Sequence, residues 1–254
     1  MMKEYEKNTY SGFTFIEMTA VLFIIAFIIG GVVSSTHLIR QARITSIIKE
    51  ANEWRNVYGS FKTRYNAIPG DMADAYSYWN SKSTCTNTDV NVTSSGCNGD
   101  GNKQIGGATK YENILSWYHL YLSGSLEFNY LGVVDGVDNA VVGDLDRNVP
   151  ISKIKGGTWW MDYIDLYGIT SNTLTFARLS NGNVDNGILK PNEAERIDIK
   201  ADDGNADSGK ILSIDGFNMP VGGDCVDGIA GTKPATYVQN NKDFTCQIMF
   251  LLKD

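Results

Sequence analysis

The sequence predicts an α+β fold in which one long N-terminal helix packs on a C-terminal head of antiparallel strands and short helices. Two observations support this prediction. The first is an apolar run at residues 13–33 that continues into an amphipathic pattern with helical spacing. The second is a change of pattern from residue 125 onward, where short β-type runs alternate with clusters of Gly, Asn and Asp.

The apolar run is 21 residues long and contains a single charge, Glu17. A helix of this length spans about 31 Å, enough to cross a hydrocarbon core of about 30 Å. We therefore expect a transmembrane helix; a buried helix of a soluble protein and a secretory signal peptide are the alternatives. A signal peptide would end in small residues, whereas here Gly12 precedes the apolar run, which is also too long. The flanking charges leave the orientation across the membrane open.

Helical periodicity continues after residue 33. Apolar and aromatic residues recur at intervals of three and four, which places them on one helix face: Ile44, Ile47, Ala51, Trp54, Tyr58, Phe61 and Tyr65. No Pro occurs before Pro69. We predict one helix from Phe13 to about Asn66, whose amphipathic second half, residues 34–66, packs its aromatic face on the head. A binding surface and a coiled coil are the alternatives, but the seam of a coiled coil would be Leu-based rather than aromatic.

The head, residues 67–254, is expected to begin at the Pro69-Gly70 turn, with Asp71 capping a short helix. The expected helices lie at 72–79, 111–122 and 191–200, and the expected strands at 158–164, 173–179, 211–214 and 245–252. His119 lies in the second of these helices. We expect it to be a packed or surface residue, because no catalytic motif of Cys, Ser or acidic residues surrounds it.

Charge is distributed unevenly along the chain. The 254 residues have a formal net charge of −7 and a pI of about 4.9, which argues against a nucleic-acid partner. Residues 34–66 contain six basic and two acidic side chains, a net charge of +4, and residues 67–254 contain 14 basic and 24 acidic ones, a net charge of −10. The basic segment suits anionic lipid or acidic neighbours. With only two His, a His-rich metal site is excluded.

The string Gly12-Phe13-Thr14-Phe15-Ile16-Glu17, followed by the apolar run, resembles the class III signal of type IV prepilins and type II secretion pseudopilins. The resemblance implies that residues 1–12 are a leader, that prepilin peptidase cuts after Gly12 on the cytoplasmic side, and that the same enzyme methylates the new N-terminal amine of Phe13. It also implies a pilin-like fold. Residues 13–33 would then form the transmembrane and filament-core helix of a single-pass inner-membrane protein with a periplasmic head.

The resemblance also assigns a role to Glu17. A carboxylate inside lipid costs about 2.5 kcal/mol or more and needs a partner. In the family that partner is the N-terminal amine of a neighbouring subunit; snorkelling of the carboxylate to water is the alternative. The implied partners are other pilin or pseudopilin subunits, prepilin peptidase, membrane lipid, and the inner-membrane assembly platform with its ATPase. Stretches of the head resemble pilin-like proteins more loosely, at residues 65–71, 99–102, 197–204 and 246–252.

All four cysteines lie beyond the apolar run, at Cys85, Cys97, Cys225 and Cys246. If the head is periplasmic, disulfides are expected there. Their order along the chain suggests Cys85–Cys97 and Cys225–Cys246, one of three possible connectivities. A zinc site is disfavoured, because the sequence has no Cys-x-x-Cys and no nearby His pair.

Residues 98–102 alternate oxygen-bearing side chains with Gly, like the start of a calcium loop. Lys103 stands where such a loop needs Gly, and Thr109 stands where it needs Glu. Asn98, Asp100 and Asn102 are therefore weak calcium candidates, and an ordinary turn is the alternative. We expect no other cofactor.

The sequence contains none of the common hydrolase, phosphate-binding, dinucleotide-binding or metalloprotease motifs. We therefore expect a structural subunit of a type IV pilus or type II secretion pseudopilus rather than an enzyme. The alternatives are a single-pass membrane-anchored binding module or adhesin, and a DNA-uptake pseudopilin, which the acidic head disfavours. The sequence does not distinguish a pilus from a secretion system.

Overall fold

A computed structural model describes residues 12–81, 85–89, 96–106, 112–128, 130, 148–180, 183–216, 224–227 and 231–252, with only the backbone at 31–37, 86–89, 180 and 183. The chain divides into two compact units, Met1–Arg43 and Ile44–Asp254. Within the part of the chain that the structure describes, no helix qualifies by length and apolar character as a membrane span. Residues 1–11 of the expected leader lie outside the described residues.

The described residues form an α+β fold, as predicted. The helices are α1 (Phe15–Tyr65), α2 (Ala75–Trp79), α3 (Glu112–Leu122) and α4 (Pro191–Ala201). The strands are β1 (Thr86–Asp89), β2 (Gly96–Asn98), β3 (Gly157–Leu166), β4 (Ile169–Ser180), β5 (Asn183–Asn186), β6 (Ile211–Asp215) and β7 (Cys246–Leu251).

Within the described ranges, the main sheet has five strands in antiparallel pairing. Its order is β3-β4-β7-β6, and β5 pairs with the C-terminal end of β4. A two-residue turn, Tyr167-Gly168, joins β3 to β4, and both residues have positive φ values of 56° and 72°. That conformation matches the right-handed twist of a hairpin and explains the glycine. β1 and β2 form a separate parallel pair.

The four predicted strands and the predicted helix at 191–200 are confirmed, with boundaries that differ by a few residues. Sequence reasoning missed the strands at 86–89, 96–98 and 183–186. Their sequences, TNTD, GCN and NVDN, are three or four residues long and lack apolar alternation. Nothing in them distinguishes a strand from a turn.

The core lies where the part of α1 from Ile44 onward meets the sheet and α3. Ile47 and Ala51 are fully buried, and Tyr58 and Phe61 are nearly so. The predicted aromatic face is therefore core. On the sheet, the Trp159 ring lies 4.8 Å from the Phe176 ring between centroids.

One prediction for the head is wrong. Asp71 does not cap a helix at 72–79, because α2 begins only at Ala75 and follows Asp74. The turn before it packs closely on α3: Gly70 has a φ of 91°, and a Cβ there would lie 2.4 Å from the carbonyl oxygen of Glu112. The Asp71 carboxylate instead accepts hydrogen bonds from the backbone N–H groups of Asn102 and Lys103, both at 2.8 Å.

His119 on α3 is fully buried, as a packed residue rather than a surface one. Its Nδ1 accepts a hydrogen bond from the Gly70 backbone N–H at 2.9 Å, and its Nε2 lies 2.7 Å from the carbonyl oxygen of Cys97. A neutral ring protonated at Nε2 satisfies both contacts. Burial lowers the pKa of His119 to about 4. The ring is thus a neutral connector between the Pro-Gly turn and β2.

Candidate functional site

The first described residues contain the predicted processing and assembly positions. Gly12 and Phe13 precede α1, and the Phe13 side chain is 80% exposed. Glu17 lies in the first turn of α1. Every large apolar side chain described between Phe13 and Ile29 is exposed, by 46% to 86%. A helix that is apolar on all sides is normally covered by a large core or by lipid.

Thr14 and Glu17 form a reciprocal pair at the start of α1. The Glu17 carboxylate oxygen Oε2 accepts hydrogen bonds from the backbone N–H and the hydroxyl of Thr14, both at 2.8 Å. The Glu17 backbone N–H donates to the Thr14 hydroxyl oxygen at 3.3 Å. This is a capping box, which satisfies N–H groups that have no partner inside the helix. Sequence reasoning predicted that Glu17 pairs with a neighbouring subunit and missed the capping box, although Thr-x-x-Glu was readable.

Both disulfides follow the order of the cysteines in the sequence. Cys85 pairs with Cys97, and Cys225 pairs with Cys246. The first lies beside the short β1–β2 pair, and the second joins the loop at residues 224–227 to the first residue of β7. On the chain-entropy model a bridge that closes a loop of this length stabilises the fold by about 3 kcal/mol.

Three carboxyl groups meet beside the loop that sequence analysis proposed for calcium. Oxygen atoms of Asp71, Asp100 and Glu112 lie within 4.8 Å of one another. Of the three calcium candidates only Asp100 belongs to this cluster. The side-chain oxygen of Asn98 accepts from the Tyr76 backbone N–H at 2.9 Å, and that of Asn102 accepts from the Gln104 backbone N–H at 2.7 Å.

The two buried members of the cluster organise the loop at residues 99–106. Glu112 accepts hydrogen bonds from the backbone N–H groups of Asp100 at 2.9 Å and of Gly106 at 3.1 Å. Burial raises the pKa of Glu112 to about 7 and that of Asp71 to about 6. The negative charge of Asp100 adds to both shifts. Because backbone donors already occupy these oxygens, the arrangement explains the loop conformation without a metal ion.

A second cluster closes the loop after α4. Oxygen atoms of Asp198, Asp202 and Asp203 lie within 4.8 Å of one another. Asp198 accepts from the Tyr237 hydroxyl at 2.8 Å and from the Gly204 backbone N–H at 3.2 Å. Burial raises the pKa of Asp198 to about 7. The arrangement repeats the first cluster: carboxylates satisfy the N–H groups of a tight Asp/Gly-rich loop.

Sequence reasoning missed Asp71 and Glu112 as partners of Asp100. The three residues of the first cluster are separated by 29 and 12 positions. Only tertiary packing of the Pro-Gly turn on α3 brings them together.

The chain matches no known protein-family model, and comparisons with curated proteins and with solved structures also give no match.

Proposed function

We propose that this chain is a structural subunit of a type IV pilus or type II secretion pseudopilus, and not an enzyme. It would be processed after Gly12, N-methylated at Phe13 and assembled through its N-terminal helix. The observation behind this proposal is the Gly-Phe-Thr-Phe-Ile-Glu string, which precedes an apolar stretch with one charge in 21 residues.

The structure supports the assembly step through the exposed apolar surface at the start of α1. Within the first unit the side chains of Phe15, Phe23 and Phe27 are 86%, 75% and 79% exposed. Apolar surface of this extent is favourable only when something outside the subunit covers it. In the proposed cycle the cover is inner-membrane lipid before assembly and the helices of other subunits afterwards.

The capping box is compatible with cleavage after Gly12. Its two hydrogen bonds from Thr14 use the hydroxyl and the backbone N–H of the Phe13–Thr14 peptide, which leader removal does not touch. The mature chain would therefore still place the Glu17 carboxylate beside its own helix start. There it could also pair with the methylated amine of a neighbour.

The disulfides support a periplasmic head. Such bonds form and persist in oxidising compartments and are rare in the cytosol. We therefore assign the pilin-like head to the periplasm, where it faces other subunits. The prepilin peptidase, the assembly platform and its ATPase act from the inner membrane. The acidic head gives no reason to expect a nucleic-acid partner.

The first test of this proposal is the mature N-terminus. Mass spectrometry of the protein expressed together with a prepilin peptidase should find a chain that starts at N-methylated Phe13. Gly12→Ala should keep the leader, because a side chain at that position obstructs the peptidase. Gly30→Ala is the matched control, since a Cβ there meets no atom within 4 Å. A Gly12→Ala chain that is cut and methylated as in the wild type would contradict the proposal.

The second test concerns the charge of Glu17. Glu17→Ala and Glu17→Gln should both insert into the membrane but fail to form filaments, because neither can pair with a neighbour's amine. Filament yield is measured by shearing and electron microscopy, and insertion by membrane fractionation. Normal filaments from Glu17→Gln would exclude the charge pair. A correctly processed chain that never assembles with other subunits would instead indicate the anchored binding module.

A further inference from the structure

A cavity of about 260 Å³ opens on one face of the sheet. Side chains alternate along β3, so Trp160, Asp162 and Ile164 lie on the opposite face from Trp159 and Met161. The first three line the cavity, and the other two are fully buried. Ligand pockets for whole small molecules measure about 300–1,000 Å³. This cavity therefore fits one side chain or a ligand of similar size.

The polar walls of the cavity come from five elements. They are Asn113 of α3, Asp162 of β3, Thr175 of β4, Asp185 of β5 and Gln247 of β7. Asp162 and Asp185 are the titratable groups among the described lining residues, none of which is Lys, Arg or His. The cavity thus combines two carboxyl groups with no basic residue to balance them.

The hydrogen bonds that these carboxyl groups accept come from neutral donors. Asp162 Oδ1 accepts from the Asn113 side-chain amide at 3.1 Å and from the Tyr163 backbone N–H at 2.9 Å. Asp185 Oδ1 accepts from the Asn186 side-chain amide at 3.2 Å. Burial raises the pKa of Asp162 to about 6 and shifts the pKa of Asp185 in the same direction. A cation entering the cavity would favour the ionised form of both carboxyl groups and so oppose this rise in their pKa.

The aromatic wall matches the same ligand chemistry. Trp160 is half-buried and precedes Asp162 by two residues on the same face of β3. An indole ring beside a carboxylate attracts an ammonium or guanidinium group through its π face and its apolar surface. Purely neutral ligands would leave the negative charge of the cavity uncompensated.

We propose that this cavity binds one organic cation of the size of an arginine or lysine side chain, with Asp162 and Asp185 as counter-ions and Trp160 as the apolar wall. The site is separate from the processing and assembly positions and does not depend on the proposed function. The cation has two possible sources. One is the segment 34–66 of a second copy, which contains six basic residues, and the other is a small free cation such as a polyamine.

The site is tested by calorimetric titration of the full chain in detergent micelles with Nα-acetyl-L-arginine amide. Nα-acetyl-L-citrulline amide is the matched neutral probe, because it has nearly the same shape and no charge. The arginine derivative should bind and the citrulline derivative should not. Equal binding of both probes would overturn the proposal and indicate a neutral hydrogen-bonding site, such as one for a sugar. Absence of binding by the arginine derivative would also overturn it.

Variants then locate the binding. Asp162→Asn keeps an oxygen that can accept from Tyr163 and Asn113, so the fold should be retained, and affinity should fall about tenfold or more. Asp185→Asn should also weaken binding, and it removes no hydrogen bond from another element. Asp165→Asn is the matched control, because this exposed residue lies on the same strand outside the cavity. Equal affinities for Asp162→Asn and Asp165→Asn would overturn the assignment.

A pH series and a cross-linking arm complete the test. Affinity should fall as the pH is lowered through about 6, because Asp162 then becomes neutral. An affinity independent of pH would contradict the role of Asp162. Carbodiimide coupling followed by mass spectrometry identifies the source. A bond from Asp162 or Asp185 to Lys49 or Lys62 of another copy indicates a second subunit. Carbodiimide does not couple Arg, so self-association is also measured by analytical ultracentrifugation. Binding of the arginine derivative by a chain that gives no such bond and does not self-associate indicates a free cation.

Discussion

Two parts of α1 use their apolar side chains in opposite ways. From Phe15 to Ile29 the large apolar side chains are exposed, and they lie on all sides of the helix. From Ile44 onward they lie on one face, where Ile47 and Phe61 are 0% and 1% exposed. Burial of the apolar face of the second part therefore stabilises its own unit. The first part leaves its apolar surface exposed.

The acidic residues of the two parts differ in the same sense. The hydrogen-bond partner of Glu17 is Thr14, three positions away. Glu50 is buried and accepts from the Trp159 indole N–H at 2.9 Å and from the Lys153 backbone N–H at 3.2 Å. Both partners lie more than 100 positions after Glu50 in the sequence. A change at Glu17 therefore acts on the first turn of α1, whereas a change at Glu50 disturbs the packing of α1 on β3.

The largest expected effect separates the two parts directly. Phe61→Ala should destabilise the head by about 3–5 kcal/mol, because it leaves a cavity between α1, Trp79 and His119. Phe23→Ala, at a side chain that is 75% exposed, should change the free energy of unfolding by less than about 0.5 kcal/mol. Denaturant unfolding of the full chain, followed by Trp fluorescence, measures both.

For filament assembly, as opposed to stability, we expect the direct effect from Phe23→Ala rather than from Phe61→Ala. Phe23→Ala should reduce filament formation, because it removes apolar surface that we assign to contacts between subunits. Equal loss of stability in the two variants would mean that residues 15–29 belong to the same folding core as the head, and the comparison would fail.

Local patterns were sufficient to predict much of this fold. The intervals of three and four from Ile44 to Tyr65 identified a buried face, because that periodicity is a property of the helix itself. The β-type runs bounded by clusters of Gly, Asn and Asp identified β3, β4, β6 and β7, because strand-forming composition and turn residues are also local signals. The disulfide pairing agreed with chain order, since each bridge joins cysteines only 12 or 21 residues apart.

The carboxyl clusters could not be predicted in the same way. Asp71 looked like a helix cap because Asp commonly fills that position. Its actual hydrogen bonds come from residues 102 and 103, and they exist only because the Pro-Gly turn packs on α3. The cavity beside Asp162 likewise joins α3, β3, β4, β5 and β7, and no local pattern in the sequence indicates that meeting point.

A smaller effect should appear in the pH dependence of the head. The folded-state pKa of Glu112 is raised to about 7 from 4.5, and that of Asp71 to about 6 from 3.8. The folded state therefore binds protons more tightly than the unfolded state. This contribution to stability is fully present below about pH 4 and is lost as the pH rises through 6 and 7. His119 acts oppositely, because its pKa is lowered to about 4: its contribution is lost as the pH falls below 6.5.

Variants isolate the carboxyl contribution from that of His119. Unfolding free energies are compared at about pH 5 and about pH 8 for wild type, Glu112→Gln and Glu127→Gln. In Glu112→Gln, the contribution of this carboxyl group to the unfolding free energy at about pH 5 relative to about pH 8 should be absent. Glu127→Gln, at an exposed side chain, should keep the wild-type dependence. An unchanged dependence in Glu112→Gln would show that Glu112 does not hold extra protons in the folded head.

The smallest effect is expected at the opposite end of α1. Thr14→Ala removes the hydroxyl that donates to Glu17 Oε2 and accepts from the Glu17 backbone N–H. Loss of such a cap costs about 1 kcal/mol of local helix stability. Amide hydrogen exchange in the first turn should therefore accelerate about fivefold, measured by mass spectrometry of the full chain in detergent. Thr14→Ser retains both hydrogen bonds and should exchange like the wild type. Global unfolding should not change in either variant, because these contacts are local to the helix start. If Thr14→Ala exchanged as slowly as Thr14→Ser, the capping box would not determine where α1 begins, and Glu17 would be available for subunit pairing alone.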